Sequence, residues 1–531
     1  MSDVRIPIVV GVTGHRALRP QDRQILFALV TQQLVSIRER CPHSPVVMLN
    51  SVAAGADLLC AQAALELGIP LLCALPFPLE SYRADFDAES ARQLDGVLAR
   101  AAEVFCACAD VPVGARERDG AYRKAGAYVA DRCQLLLALW DGGDARAEGC
   151  GTAETVAALL GNAPDSPTFP VRGAAVIHID APRQGDTRAA RETPCTLEAC
   201  AGSAARTLEQ IDAINAELAP QAEAPQTDTR DTLFERLRAV YEAADRRALA
   251  LQKRYHRALL TLAALCSALV TMFLLYDELE SNLFLPVYAL LLFGAFFVLR
   301  AEERRAYHAR YMRFRILAET LRTQGYLARA GLDGNVCDSF TWTQRSELVW
   351  VREAAAALLA GAAPAPESAA AAREWMDEQY AYHTRAAGKT GTALRARERF
   401  CFALSALSVL LFAAVFALEF TAGGFFATDI TSDVLRGALR MHAGQSVTVR
   451  GVFKILLGTV SAASLFFSSY FGKLSLERQT EDHEKMAALY ALARQRSAGG
   501  AEDCAALARE EIVEVGNWYS YCKENRPGID L

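Results

Sequence analysis

Three short glycine-containing segments in the N-terminal third carry side chains whose types and spacing suit contact with a phosphate. They are Gly11-Val-Thr-Gly-His-Arg16, Ser51 with Gly55-Ala-Asp57, and Gly149-Cys-Gly-Thr-Ala-Glu154. Glycine lets a backbone approach a phosphate closely, and a hydroxyl, an imidazole or a guanidinium can contact it directly. One such segment alone is more often only a tight turn, so the inference depends on the three lying together.

Six apolar runs predict how these segments are brought together. They alternate with stretches of helical periodicity and cover 6–12, 45–51, 69–75, 103–108, 134–140 and 174–179. This alternation of apolar runs and helical stretches predicts an α/β domain with a doubly wound, Rossmann-like parallel sheet. Such a sheet binds ligands at the carboxyl ends of its strands. We therefore expect a nucleotide pocket at that edge. The candidate ligand-binding residues are Gly11, Thr13, Gly14, His15, Arg16, Ser51, Gly55, Ala56, Asp57, Pro76, Tyr82, Trp140, Asp141, Gly142, Gly149, Gly151, Thr152 and Glu154.

The motifs disfavour two common kinds of nucleotide enzyme. The first segment lacks a GxGxxG pattern and no GK[ST] follows it, which argues against hydride transfer and against a P-loop hydrolase. Glu154 could act as a general acid or base, but it could equally cap a helix or bind a ribose. Because no second carboxylate or nucleophile with a defined spacing accompanies it, binding is favoured over catalysis, and no catalytic residue is assigned.

Composition argues against a metal site and against nucleic acid as a partner. The 14 cysteines show no repeated short spacing and do not cluster with histidines, so we expect neutral thiols in a reducing compartment rather than a metal centre. The net charge is −6, and the basic residues that do cluster lie beside apolar spans. No cofactor other than a nucleotide-derived ligand is expected.

Four apolar runs predict a multi-pass membrane protein. The mean hydropathy is +0.11 although 22% of the residues are charged, so the apolar excess must be concentrated in segments. The runs 258–276, 283–299, 400–418 and 452–471 are close to bilayer length. Basic residues flank both pairs of runs, which predicts cytoplasmic termini in the cell inner membrane. The second connecting loop also carries arginines, and Lys454 enters the last run, so the orientation of this pair is less firmly indicated.

Ser461, Ser464 and Ser468 would share one face of the last apolar run. Small hydroxyl side chains on a membrane helix suit either close packing against a neighbouring helix or the wet wall of a pore. The sequence leaves both alternatives open.

The motifs of the soluble part together resemble the SLOG superfamily, relatives of the DNA-processing protein DprA and of the LOG phosphoribohydrolases. Besides the three phosphate segments, the resemblance includes Leu75-Pro-Phe-Pro78 before Tyr82 and Leu139-Trp-Asp-Gly142, and it covers about 5–180. It implies a nucleotide-derived ligand, whether cyclic ADP-ribose-like, a cyclic oligonucleotide or NAD-derived. The third segment is shorter than the loop of the hydrolases, which puts hydrolysis in doubt.

The membrane part is similar to the SLATT family of two-span effectors, which are proposed to form pores in nucleotide-triggered antiviral systems. The spacing of Phe234, Tyr241 and Arg254 recurs in Trp375, Tyr382 and Arg395, each set leading into a pair of apolar runs. This suggests an internal duplication. The expected domains are 1–182 (nucleotide-binding), 183–232 (a linker with a helix over 201–218), 233–360 (first membrane unit), 361–372 (spacer) and 373–531 (second membrane unit).

These expectations combine into one hypothesis of function. The soluble domain would sense a nucleotide second messenger made by a functionally linked synthase. It would then trigger permeabilisation of the lipid bilayer by a homo-oligomer in prokaryotic antiviral defence. The alternative is a membrane-anchored nucleotide or NAD hydrolase.

Overall fold

The computed structural model describes residues 4–108, 111–112, 114–143, 151–161, 172–187, 191, 193–218, 233–361, 368–440, 445–496 and 501–524. Within these ranges, seven strands form one sheet. They are β1 Ile8–Gly14, β2 Val46–Asn50, β3 Leu71–Leu75, β4 Glu103–Cys106, β5 Leu135–Trp140, β6 Ala175–Asp180 and β7 Cys195–Glu198.

The strand order is β4-β3-β2-β1-β5-β6-β7, and all neighbours are parallel except β6 and β7. Strands β2, β3 and β5 are buried along their whole length, as expected for a sheet covered on both faces. The order reverses between β1 and β5, which is where a doubly wound sheet opens a crevice. The predicted fold class is therefore confirmed, with an antiparallel edge strand that the sequence pattern did not predict.

Six helices of the N-terminal part connect these strands along the chain, and a seventh follows β7. They are α1 Arg23–Arg40, α2 Ala56–Glu66, α3 Leu79–Arg83, α4 Ala88–Leu98, α5 Ala115–Arg132, α6 Thr152–Leu159 and α7 Ser203–Leu218. Asn215 of α7 is fully buried and bonds both the N–H and the carbonyl of Ile6, each at 2.8 Å, just before β1. Helix α7, which falls in the expected linker, is thus held against the start of the sheet.

The rest of the described chain is helical. Its helices are α8 Leu233–Leu279, α9 Phe284–Arg305, α10 Tyr307–Arg329, α11 Trp342–Glu347, α12 Val349–Leu359, α13 Ala369–Thr421, α14 Gly423–Phe426, α15 Asp433–Ala438, α16 Val449–Gly472, α17 Leu476–Gln495 and α18 Ala501–Glu524. Four segments, in α8, α9, α13 and α16, are long and apolar enough to cross a membrane, and at most 6% of each apolar window is buried within the protein. Apolar helices that the protein itself leaves uncovered are typical of a lipid-facing surface, and the four predicted spans fall in these helices.

The chain divides into two compact units that do not follow chain order. The first comprises 1–246, 314–375 and 498–520, and the second comprises 247–313, 376–497 and 521–531. In the first unit, α12 packs against α5 and α7 of the α/β part. Its Glu353 is fully buried and accepts from Arg172 Nε at 2.7 Å. A buried charge of this kind requires its partner, so the pair fixes α12 against the α/β part of the unit.

In the second unit, the two loops that connect the paired spans lie at the same end. Lys454 Nζ is 2.8 Å from Glu278 Oε1, and Ser281 Oγ donates to the Leu439 carbonyl at 2.6 Å. Both pairs of spans therefore run in the same sense within this unit.

The serines of the last span pair with serines of α13. Ser464 Oγ lies 2.9 Å from Ser405 Oγ, and the Ser461 and Ser408 hydroxyls are also hydrogen-bonded. These contacts correspond to the close-packing alternative for Ser461 and Ser464, because their hydroxyls bind a helix of the same chain.

Candidate functional site

A cavity of about 770 Å³ lies at the carboxyl ends of β1, β2 and β5. Its size is in the range of small-molecule sites in proteins. Twelve of the predicted ligand-binding residues line it, namely Thr13, Gly14, His15, Arg16, Ser51, Asp57, Tyr82, Trp140, Asp141, Gly151, Thr152 and Glu154. The structure thus brings together residues from all three glycine-containing segments and from the ends of three strands.

Five predicted residues do not line the cavity, namely Gly11, Gly55, Ala56, Pro76 and Gly142. A Cβ on Gly11 would meet Cys133 Sγ at 2.7 Å, so this glycine is needed for packing against the residue that follows α5. Pro76 is buried, and Gly142 adopts a φ of 80°. Gly149 falls outside the described residues.

Gly55 and Ala56 hold the loop after β1 against the start of α2. Gly55 has a φ of 86°, and a Cβ there would lie 2.2 Å from the Arg16 carbonyl oxygen. The Ala56 N–H donates to the His15 carbonyl at 3.0 Å, so this amide is not offered to a ligand. Only glycine at position 55 lets the backbone come this close to the Arg16 carbonyl without strain. The two residues therefore position His15 and Arg16 rather than face the cavity.

The cavity also contains residues that the sequence reasoning missed. Asp119, Tyr122, Ala125 and Gly126 come from α5, and Arg183 follows β6. The α5 residues share one helix face by their spacing, a signal that was present in the sequence. Arg183 Nε donates to Asp141 Oδ2 at 2.8 Å, and no local motif marks that contact.

His15 is held as a neutral ring by its surroundings. Burial lowers its pKa from 6.5, and the nearby Asp141 carboxylate only partly opposes this. The Asp141 backbone N–H donates to Nε2 at 3.2 Å, and the Asp141 carboxylate oxygen Oδ1 lies 3.3 Å from the same nitrogen. Asp141 therefore holds the His15 ring in place on the cavity wall.

Arg16 supplies a positive charge beside aromatic side chains. Its guanidinium lies 4.5 Å from the centre of the Tyr122 ring, a cation–π arrangement. The Tyr122 hydroxyl is hydrogen-bonded to Asp85, and burial together with that carboxylate raises the pKa of Tyr122 to about 12. The phenol is therefore neutral, and its ring face remains available to orient Arg16.

Asp57 is the most perturbed carboxyl group in the cavity. Its side chain is buried, and this burial raises its pKa from 3.8 to about 7, against the opposing effects of the Ala53 N–H and Arg16. The Ala53 N–H donates to Oδ2 at 3.3 Å. At neutral pH a large share of Asp57 is protonated and can donate a hydrogen bond.

Glu154 caps the helix that it begins. Its Oε2 accepts from the backbone N–H of Gly151, the N-cap residue of α6, at 2.9 Å, which is the half of a capping box that a glycine at this position allows. Of the roles that the sequence left open for Glu154, this contact corresponds to helix capping. The carboxylate thereby fixes the end of the third glycine-containing segment.

Four acids and two arginines line the cavity, but most of the negative charge is compensated. Asp57 is raised toward neutrality, Asp141 pairs with Arg183, and Glu154 caps α6. The result is a wall with guanidinium donors and carboxyl acceptors side by side, which fits a ligand with both phosphate and hydroxyl groups. Within the described ranges, no group of three or more His, Cys, Asp or Glu side chains could hold a metal ion.

Fold and site together define an α/β domain with a polar cavity at the switch point of its sheet, carried on a chain with four helices able to cross a membrane. Comparison with known proteins does not narrow this class. No protein-family model matches the chain, and no curated protein matches it.

Proposed function

We propose that the protein is a membrane effector whose α/β domain binds a nucleotide-derived second messenger and thereby makes the membrane permeable. The cavity carries this proposal, because residue types suited to phosphate in the loop after β1 line the same volume of about 770 Å³ as aromatic rings and carboxyl groups suited to hydroxyls. A cyclic ADP-ribose-like molecule, a cyclic oligonucleotide and an NAD-derived molecule all combine these chemical groups.

Several features of the second unit support the effector part. The apolar windows of four helices are almost wholly uncovered by the protein, and both connecting loops lie at one end. We propose a multi-pass protein of the inner membrane with cytoplasmic termini, which acts as a homo-oligomer because four helices of one chain enclose little water. The resemblance to SLOG and SLATT proteins adds the proposal of a role in antiviral defence, with a nucleotide-signal synthase as functional partner.

The decisive experiment separates ligand binding from its effect on the membrane. Purified full-length protein in liposomes is exposed to cyclic ADP-ribose isomers, cyclic oligonucleotides and NAD, and dye leakage is followed together with ligand binding. We expect one class to bind and to cause leakage. Binding without leakage at any lipid composition would contradict the effector proposal.

A proline in α8 tests whether binding is transmitted through this helix. Leu249 is 44% exposed, so Leu249→Pro breaks the backbone hydrogen bonding of the helix while removing little packing, at a cost of about 3 kcal/mol locally. We expect ligand affinity to persist and leakage to be lost, whereas the matched Leu249→Ala variant keeps both. Equal leakage from the two variants would exclude transmission through α8.

A membrane-anchored hydrolase is the second candidate function. The observation that favours it is the raised pKa of Asp57 in the cavity. A carboxyl group whose pKa is raised to about 7 inside a ligand cavity has the property required of a general acid. Consumption of the bound nucleotide by the wild-type protein, lost in Asp57→Asn and unaccompanied by leakage, would replace the effector proposal with this one.

A further inference from the structure

A cysteine and a histidine face each other on the edge pair of strands. Cys195 of β7 is the register partner of His178 of β6, and Cys195 Sγ lies 3.6 Å from His178 Nδ1. This separation is that of a hydrogen bond to sulfur. The thiol is also exposed to solvent. It therefore combines a nearby base with access for a reagent.

The other ring nitrogen of His178 determines which tautomer faces the thiol. Nε2 lies 3.0 Å from the carbonyl oxygen of Trp140. A carbonyl can only accept, so Nε2 must carry a hydrogen, and in the neutral ring Nδ1 then presents its lone pair to Cys195. The Trp140 indole packs against the imidazole at a tilt of 40°, with ring centres 4.3 Å apart, and restricts the orientation of the His178 ring. This is the arrangement of nucleophile, base and orienting group found where thiols are activated.

We propose that Cys195 is a modification site at which His178 acts as base in thiol–disulfide exchange with low-molecular-weight disulfides. His178 Nδ1 takes the thiol proton, and the resulting thiolate attacks one sulfur of the disulfide. A new bond forms between Cys195 and that sulfur as the original sulfur–sulfur bond breaks, and the second half leaves as a thiolate that is then protonated. The imidazolium formed during the reaction keeps both N–H groups bonded, one to the Cys195 thiolate and one to the Trp140 carbonyl.

The location connects this thiol to the cavity. Trp140 is one of the residues that line the cavity, and its ring packs against that of His178. A group attached to Cys195 would lie directly behind this part of the cavity wall. The reaction itself does not depend on which ligand the cavity binds, so it stands or fails separately from the proposed function.

Cys200 provides an internal control. Among the cysteines of the described ranges, Cys195 and Cys200 are exposed, and the others are buried or half-buried. Cys200 lies just beyond the end of β7 and, within the part of the chain that the structure describes, has no histidine contact like that of Cys195. Two exposed thiols a few residues apart in one chain therefore differ in the presence of a base.

The test measures the rate of mixed-disulfide formation at both thiols in full-length protein in detergent, with glutathione disulfide as the reagent and peptide mapping by mass spectrometry as the readout. An ordinary thiol loses about tenfold in rate for each pH unit below neutrality, because only the thiolate reacts. We expect the reaction rate of Cys195 to fall less over this range. At pH 6 the rate at Cys195 should exceed the rate at Cys200 by about tenfold. Equal rates and equal pH profiles in the wild-type protein would overturn the proposal.

His178→Gln supplies the second comparison. The amide of glutamine can still donate to the Trp140 carbonyl but offers no base to the thiol. We expect the rate and pH profile of Cys195 in this variant to fall to those of Cys200. An unchanged rate in a folded variant would show that exposure alone makes Cys195 reactive and would sink the proposal. The wild-type comparison remains decisive if the variant does not fold.

Discussion

Replacing Asp57 by asparagine should abolish a pH dependence of stability in the α/β part. In the folded protein burial keeps the proton on Asp57 until about pH 7, whereas an unfolded aspartate loses it near 3.8. Between these values the folded state binds more protons, so wild-type stability falls as the pH rises through this window and is constant above it. Asparagine cannot ionise and does not show this loss.

The size of the effect follows from the shift. The rise of the Asp57 pKa from 3.8 to about 7 corresponds to roughly 4 kcal/mol in the free energy of unfolding, at about 1.4 kcal/mol for each pKa unit. We therefore expect the stability of Asp57→Asn relative to the wild type to increase by about that amount between pH 4 and pH 7.5. The Ala53 N–H can still donate to the asparagine oxygen, so the loop should keep its geometry.

Hydrogen exchange of the Val46–Asn50 strand provides the assay, because this strand is buried and is joined by a short loop to the first turn of α2, which carries Asp57. Intrinsic exchange rates depend on pH in the same way in both proteins. Comparing the protection of variant and wild type at the same pH therefore removes this dependence. A difference that is the same at pH 5 and pH 8 would refute the reasoning, since it would mean that Asp57 ionises alike in both states.

Asp85→Asn is the matched control with the opposite sign. Burial of Asp85 is outweighed by hydrogen bonds from Arg118 and Tyr122, and the pKa of Asp85 is lowered. Its contribution to stability is present above the ordinary value and is lost as the pH falls through the lowered one. Asp57→Asn should therefore be more stable than the wild type at high pH, whereas Asp85→Asn should not.

Three further predictions concern the site, the packing and the membrane topology. Arg16→Ala should weaken nucleotide binding by about 1–3 kcal/mol without unfolding, as calorimetry would show, and unchanged affinity would remove Arg16 from the site. Glu353→Gln should destabilise the first unit by about 3–5 kcal/mol because it leaves the buried Arg172 charge uncompensated. Glu374→Gln is the control: Glu374 pairs with Arg329 at an exposed position, so its loss should cost less than about 1 kcal/mol in the same thermal unfolding measurement. Reporter fusions at 361–372 should report the cytoplasm, and a signal from the other side would contradict paired hairpins with basic cytoplasmic flanks.

Most of the strands and spans could be predicted because their signals are local. The membrane segments are long apolar runs in which Lys454 is the one charged residue. Each of the first six strands overlaps a short apolar run, and all of them except β4 are mostly buried. Strand β7 has neither property. It holds Cys195, Thr196 and Glu198 at an exposed edge, where only its pairing with β6 defines it as a strand.

Part of the candidate site could also be predicted, since a parallel sheet places the ends of its strands at one edge. The exceptions are instructive. Gly55 and Ala56 read as ligand contacts because their residue types suit one, yet the approach of the Arg16 carbonyl assigns them to positioning. Tyr122 was missed because its role depends on α5 lying across the same edge.

The sequence alone determined that the chain has an α/β domain, which apolar segments can cross a membrane, and that phosphate-binding residue types follow the strands. These properties are set by periodicity and composition over short stretches of chain. Only the tertiary structure decided which side chains act in pairs. Arg172 and Glu353 are 181 residues apart in sequence, and His178 meets Cys195 through an antiparallel edge pairing. Such contacts depend on the order and packing of elements, which no local pattern encodes, and the ionisation of Asp57 depends on them in turn because burial sets its pKa.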